Sequence, residues 1–136
     1  EQEMNKAPLA SENNGVGRAE LHVDHYFSPG VYARALFIPK DTLLTGKIHK
    51  YENLNILAKG SMDVLIDGEI CSVQAPFIVV SPPGTKRIAH THEDCIWITI
   101  HGTDLIDINE IEQKFIAQNE QEFLEFCGQE RLRLEQ

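Results

Sequence analysis

Apolar and polar residues alternate along most of the chain from residue 21 to residue 101, the pattern that puts one set of side chains into a core and the other on the opposite face of a sheet. Residues 21–27 form a first strand-like run, followed by the turn Ser28-Pro29-Gly30. Val31 to Ile38 is a stronger one, stopped by Pro39. The central stretch, residues 46–60, opens on Gly46, Lys47, Ile48 and His49, alternates through Asn53, Asn55 and Leu57, and ends in Lys59-Gly60. Residues 62–66 and 69–73 flank Asp67-Gly68, a pair suited to a type I′ hairpin turn because both of its central positions need positive φ. Residues 76–80 read as a short buried strand, Ser81-Pro82-Pro83-Gly84 as a turn, and residues 86–92 and 95–101 as the last two strands. Short strands at regular spacing, with turn signals between them, predict an all-β fold closed or sandwiched in antiparallel fashion.

The period changes after Gly102. Asp107-Ile108-Asn109-Glu110 has the form of a helix cap, and Ile108, Ile111 and Phe115 recur at helical spacing. Asn119-Glu120-Gln121-Glu122 repeats that form, predicting a second short helix that carries Phe123, Phe126 and Cys127 and stops at Gly128. Both are amphipathic and are expected to cover the barrel or a neighbouring subunit. The division expected is a flexible or partner-completed N-terminal arm over residues 1–17, a β-barrel over 18–102 and a helical extension over 103–136.

At 136 residues the chain fits one globular domain, and its formal charge of −9 argues against nucleic-acid or anionic-membrane binding. A local basic pocket remains open, since much of the acidity lies in the C-terminal segment. Cys71, Cys95 and Cys127 are odd in number and widely spaced, which points to reduced thiols and a cytoplasmic setting rather than to disulfides or a thiolate zinc site. No apolar run is long enough to span a membrane, and the polar N-terminus lacks a signal-peptide pattern.

Residues 31–101 resemble the cupin (RmlC-like) superfamily. Gly46, His49, Tyr51, Asn53 and Gly60 fall on that superfamily's first motif, and Pro82-Pro83-Gly84-Thr85-Lys86-Arg87 on its second, with the Asp67-Gly68 hairpin between them. The wording of residues 46–60 and 82–101 is most similar to small single-domain cupins of bacteriophages and prophages. The resemblance implies a double-stranded β-helix, or jelly-roll barrel, to which the helical pattern after Gly102 adds one or two short C-terminal helices. It also implies where a metal would be held, by three His and one Glu. Here only His49 keeps its type; Tyr51, Asn53 and Arg87 stand in the other places. Tyr is an uncommon ligand, Asn a weak one, and Arg a permanent cation that repels a metal. The expectation is therefore no metal cofactor.

His49, Tyr51, Asn53 and Arg87 are expected to face the barrel mouth and bind a small polar or anionic molecule, with Arg87 making paired hydrogen bonds to the anion. Alternation places Trp97, Thr99 and His101 on one face of the last strand and Ile96, Ile98 and Ile100 on the other, so Trp97 and His101 join the candidates. Against this stands a structural or interaction protein whose helices bind a partner and whose barrel is filled by its own side chains, with Tyr51 as packing and Arg87 paired to a core acid. A second alternative is a displaced divalent transition-metal site in which His90 and His92 are joined by His49 or by Glu93, serving an oxygenase or isomerase. A third is an epimerase-like site with His49 as base and Tyr51 as acid. Cys95 next to His92 reads as a buried, inert thiol. Association into a homodimer or higher homo-oligomer is expected through sheet edges and N-terminal arms, with Val31 to Ile38 as a vulnerable edge.

Overall fold

The computed structural model describes residues 9–11, 21–66 and 68–135. Among the described residues, twelve strands and two helices follow one another: β1 (Leu9–Ser11), β2 (His22–Ser28), β3 (Val31–Ile38), β4 (Leu43–Thr45), β5 (Ile48–His49), β6 (Asn53–Lys59), β7 (Ser61–Ile66), β8 (Glu69–Gln74), β9 (Phe77–Ser81), β10 (Ile88–Thr91), β11 (Cys95–Gly102), α1 (Ile108–Phe115), β12 (Ile116–Ala117) and α2 (Glu120–Glu135). They form two five-stranded sheets, in the orders β1-β4-β10-β7-β8 and β2-β3-β11-β6-β9, and a small pair β12-β5. Among the described residues every pairing is antiparallel except β1 with β4. The result is the jelly-roll barrel with C-terminal helices that the alternation and turns predict.

Alternation fills the barrel from both sheets. Leu36 and Ile38 from β3, Leu57 from β6, Cys95 from β11, Leu44 from β4, Met62 and Val64 from β7 and Ala89 from β10 meet in one buried cluster. Two hairpins set its register. In the first, β2 and β3 pair from Ser28↔Val31 outward, and Gly30 takes φ +76° in the turn. In the second, β7 and β8 pair from Ile66↔Glu69 outward with Gly68 at φ +81°. Asp67, the other half of that expected turn, lies outside the described residues. So does the expected N-terminal arm, apart from the β1 backbone running parallel to β4.

The C-terminal extension closes one end. Asp107 caps α1 by accepting hydrogen bonds from the backbone N–H of Asn109 and Glu110, and Ile111 and Phe115 pack on Tyr32 in a second buried cluster. The chain then adds β12 to β5, with Ile116 opposite His49. Asn119 caps α2 by accepting from the Glu122 N–H at 2.8 Å.

Two expectations need correction. The second helix does not stop at Gly128 but runs on to Glu135. A helical glycine costs only about 1 kcal/mol relative to alanine, and Arg133 pairs with Glu130 one turn back at 2.9 Å. Nor is Val31–Ile38 an edge: β3 lies between β2 and β11, so its backbone is paired on both sides.

Candidate functional site

The polar end of the barrel is assembled from β5, β6, β9, β11 and the residues leading into β10. On β6 and β11, Asn55 sits opposite Thr99 in register, and its Nδ2 donates to Thr99 Oγ1 at 3.0 Å. Ser81, at the end of β9, donates through Oγ to Asn55 Oδ1. Arg87 Nη1 donates to Ser81 Oγ at 2.7 Å and to Asn55 Oδ1 at 3.3 Å. A chain of neutral groups thus fixes a partly buried guanidinium. Burial alone lowers the Arg87 pKa from its ordinary value. Among the described residues no carboxylate pairs with Arg87.

β5 supplies His49, and Lys47 immediately precedes the strand. It is short, but backbone bonds hold it on three sides: Gly46 N to Arg87 O at 2.9 Å, Gly84 N to His49 O at 2.8 Å and Lys50 N to Phe115 O at 2.7 Å. The buried Lys47 ammonium reaches across to α1 and pairs with Glu112 at 2.7 Å. His49 Nδ1 and His101 Nε2 lie 3.3 Å apart, and the two rings stack. Burial is the main reason that both pKa values fall to about 4; Arg34, Lys47 and Arg87 depress His49 further, and His49 depresses His101. Both imidazoles are neutral at pH 7. The far side of His101 stacks on Phe115, and its buried Nδ1 has no partner among the described residues.

Two adjoining cavities open here. One, of about 50 Å³, is lined by Lys47, His49, Asn55, Thr85, Arg87 and Thr99 at its polar end and by Leu44, Met62, Val64, Ala89 and Trp97 below. The other, of about 30 Å³, shares Lys47, His49 and Thr99 and continues under α1 past Tyr32, Arg34 and His101. A hydrogen bond of 2.7 Å joins Tyr32 to His25 at its edge.

The structure thus brings His49, Arg87 and Trp97 to the first cavity and His101 to the second. It does not bring Tyr51. The strand breaks over residues 50–52, where the Lys50 N–H turns to Phe115, so the alternation starting at His49 does not carry across. The Tyr51 ring packs edge-on between Phe115 and Phe126, at 5.5 and 5.2 Å. Asn53 is buried on the inward face of β6, but its Nδ2 donates to Tyr51 O and it lines neither cavity. Asn55, two residues on, takes that role. Asn55, Ser81 and Lys47 are residues the sequence reading missed; an Asn at a buried strand position was the available signal for the first of them.

His90 and His92 stand apart from His49. His90 Nε2 bonds Asp41 at 2.8 Å and His92 Nε2 bonds Asp63 at 3.0 Å, while Ser61 donates to Glu93 at 2.6 Å. Among the described residues neither His49 nor Glu93 completes a metal-holding group with His90 and His92. Of the positions singled out by the motif resemblance, His49 is an imidazole and Arg87 a fixed cation, a pair ill suited to hold a metal, and among the described residues no three His, Cys, Asp or Glu side chains converge on a point. Cys95 is buried, donates to Ser61 O and Glu93 O, and has its pKa pushed up to about 11 chiefly by burial, which leaves an unreactive thiol. No helix among the described residues is long and apolar enough to cross a membrane.

No protein-family model and no curated protein sequence matches the chain. Solved structures do. EutQ of Salmonella typhimurium LT2 is similar with a TM-score of 0.52 at 11% identity, over 64% of this chain and 72% of its own. KdgF of a Halomonas species reaches 0.51 at 13% identity, over 74% of this chain and 82% of its own. The cupin domain of an XRE-family transcriptional regulator from Enterobacter cloacae reaches 0.51 at 13%, over 61% of this chain and 97% of its own. The chain has the fold of cupin-domain proteins. At these identities the likeness is one of fold alone.

Proposed function

We propose that this cupin-fold chain is a metal-independent binding module that holds a small anionic molecule against Arg87. The carrying observation is a partly buried guanidinium at the wall of a cavity, fixed by Ser81 and Asn55 and lacking a carboxylate partner among the described residues. A structural arginine of that burial normally has an acid beside it, because burying an uncompensated charge is costly. An anionic ligand supplies that compensation. The epimerase-like reading loses its acid, because Tyr51 packs on Phe115 and Phe126 away from His49. Free, exposed Cys71 and Cys127 support a reducing, cytoplasmic setting. The phage or prophage setting rests on sequence wording alone, and the structural comparisons lend it no support.

The test is calorimetric titration with sodium propionate and with inorganic phosphate. At least one anion is expected to bind the unaltered protein, and Arg87→Met is expected to weaken that binding by tenfold or more while the thermal midpoint moves little. Failure of both anions to bind the unaltered protein overturns the reading.

A second proposal concerns association. On the outer face of β9, β6 and β11, two rows of apolar side chains lie in register, Ile78-Ile56-Ile98 and Val80-Leu54-Ile100. Ile78 is 66% exposed, Val80 54% and Leu54 42%. A contiguous apolar face on so acidic a chain supports an interface there, and a two-fold axis through it would set each row against its own copy. We place the expected homodimer contact there rather than at β3. Sedimentation equilibrium should give a dimer for the unaltered chain and a monomer for Ile78→Lys. A monomer for both sinks the proposal.

A further inference from the structure

Resting on the reading of the first cavity as an anion site, we propose that its occupant is a short-chain monocarboxylate, with the carboxylate on Arg87 and an apolar tail in the barrel. Three features of the cavity select this class.

The first is charge. Lys47 also lines the cavity, but Glu112 neutralises it at 2.7 Å, and His49 is neutral. Arg87 is then the one cavity-lining cation left uncompensated among the described residues, which matches a single negative charge rather than two. The second is donor geometry. Arg87 spends Nη1 on Ser81 and Asn55, and among the described residues Nε and Nη2 carry no hydrogen bond. That edge of a guanidinium offers two parallel N–H donors at the spacing of two carboxylate oxygens. Thr85 and Thr99 hydroxyls border the same space.

The third is the floor. Below the polar rim the lining turns apolar through Leu44, Met62, Val64, Ala89 and Trp97. Inorganic phosphate, sulfate or a polyhydroxylated sugar acid would set oxygens against these side chains with nothing to bond them, which is penalised. A hydrocarbon tail gains by leaving water there. The cavity volume of about 50 Å³ limits that tail to a few carbons.

The experiment titrates the full chain with sodium formate, acetate, propionate, butyrate, hexanoate and phosphate by calorimetry. The expected result is an affinity that rises about fourfold per added methylene up to the length that fills the cavity and falls for hexanoate, with phosphate weaker than propionate. Val64→Thr, which replaces one methyl of the apolar floor with a hydroxyl, should flatten the rise with chain length. A flat series, or phosphate binding more tightly than propionate, overturns the monocarboxylate assignment while the anion site stands. Binding of none of these anions overturns both. A length-dependent rise that survives Arg87→Met intact overturns the placement of the carboxylate.

Discussion

Replacing Gly60 with alanine is expected to cost about 3 kcal/mol of folding stability or more, against about 1 kcal/mol for the same change at Gly30. Both glycines take a left-handed backbone, φ +90° at Gly60 and +76° at Gly30, so an L side chain is strained at either. They differ in space. A methyl at Gly60 would lie 2.5 Å from Asp94 O and 2.7 Å from Cys95 Sγ, whereas a methyl at Gly30 meets nothing within 4 Å. The Asp94 carbonyl cannot move freely, because the Asp94 side chain accepts from Lys40 N and Cys95 begins β11. Gly60 O also accepts from Ala75 N at 2.9 Å, tying the turn between β6 and β7 to the end of β8. Urea denaturation of the two variants separates the terms. Equal losses would show that backbone conformation alone governs the site and that the close approach carries no weight.

The second large effect is a loss of stability in mild acid. An unfolded histidine takes up its proton near pH 6.5, but folded His49 and His101 resist protonation until about pH 4. Between those values the unfolded chain binds more protons than the folded one, so stability falls as pH falls. The contribution is intact above pH 6.5, declines from there to pH 4 and changes no further below. One such shift corresponds to about 3 kcal/mol, and the stacked pair shares its burden between two rings. Asp63 acts in a separate window. Hydrogen bonds from Ser72 and His92 lower its pKa, so its contribution fades only in stronger acid. Thermal midpoints measured from pH 7.5 to pH 5 should drop steeply for the unaltered chain and much less for the His49→Gln, His101→Gln double variant. The same slope in both would locate the acid sensitivity elsewhere.

Much of the barrel was legible because its strands obey a period of two. Val31–Ile38 was read at its observed limits, and Cys95–Gly102 one residue short at its end, since apolar alternation continues almost to the turn at each end. The Asp107 cap was legible for a local reason, as its acceptor and donors lie within three residues. What failed depended on distant parts of the chain. Tyr51 left the mouth because Phe115 and Phe126, more than sixty residues on, draw its ring into an aromatic cluster. Gly128 has a helix-ending identity, yet nothing local shows that the turns on either side of it remain helical. Lys47 gave no sign of its role, because its partner Glu112 comes from a helix that only tertiary packing brings to the mouth. At Arg87 the residue type carried the message. A permanent cation in the place of an imidazole is readable at any distance, although its holders Ser81 and Asn55 were not.

The pairing of β12 with β5 also orders events during synthesis. His49 is made early, but Ile116 and Ala117, which complete the strand pair beside it, leave the ribosome much later. Until they do, Tyr32, Tyr51 and His101 have neither Ile111 nor Phe115 to cover them. A nascent chain halted after β11 would therefore carry a nearly complete barrel with an open, greasy end, at the stage when sticking to neighbouring chains is most damaging. Only the residues that follow β11 seal that end.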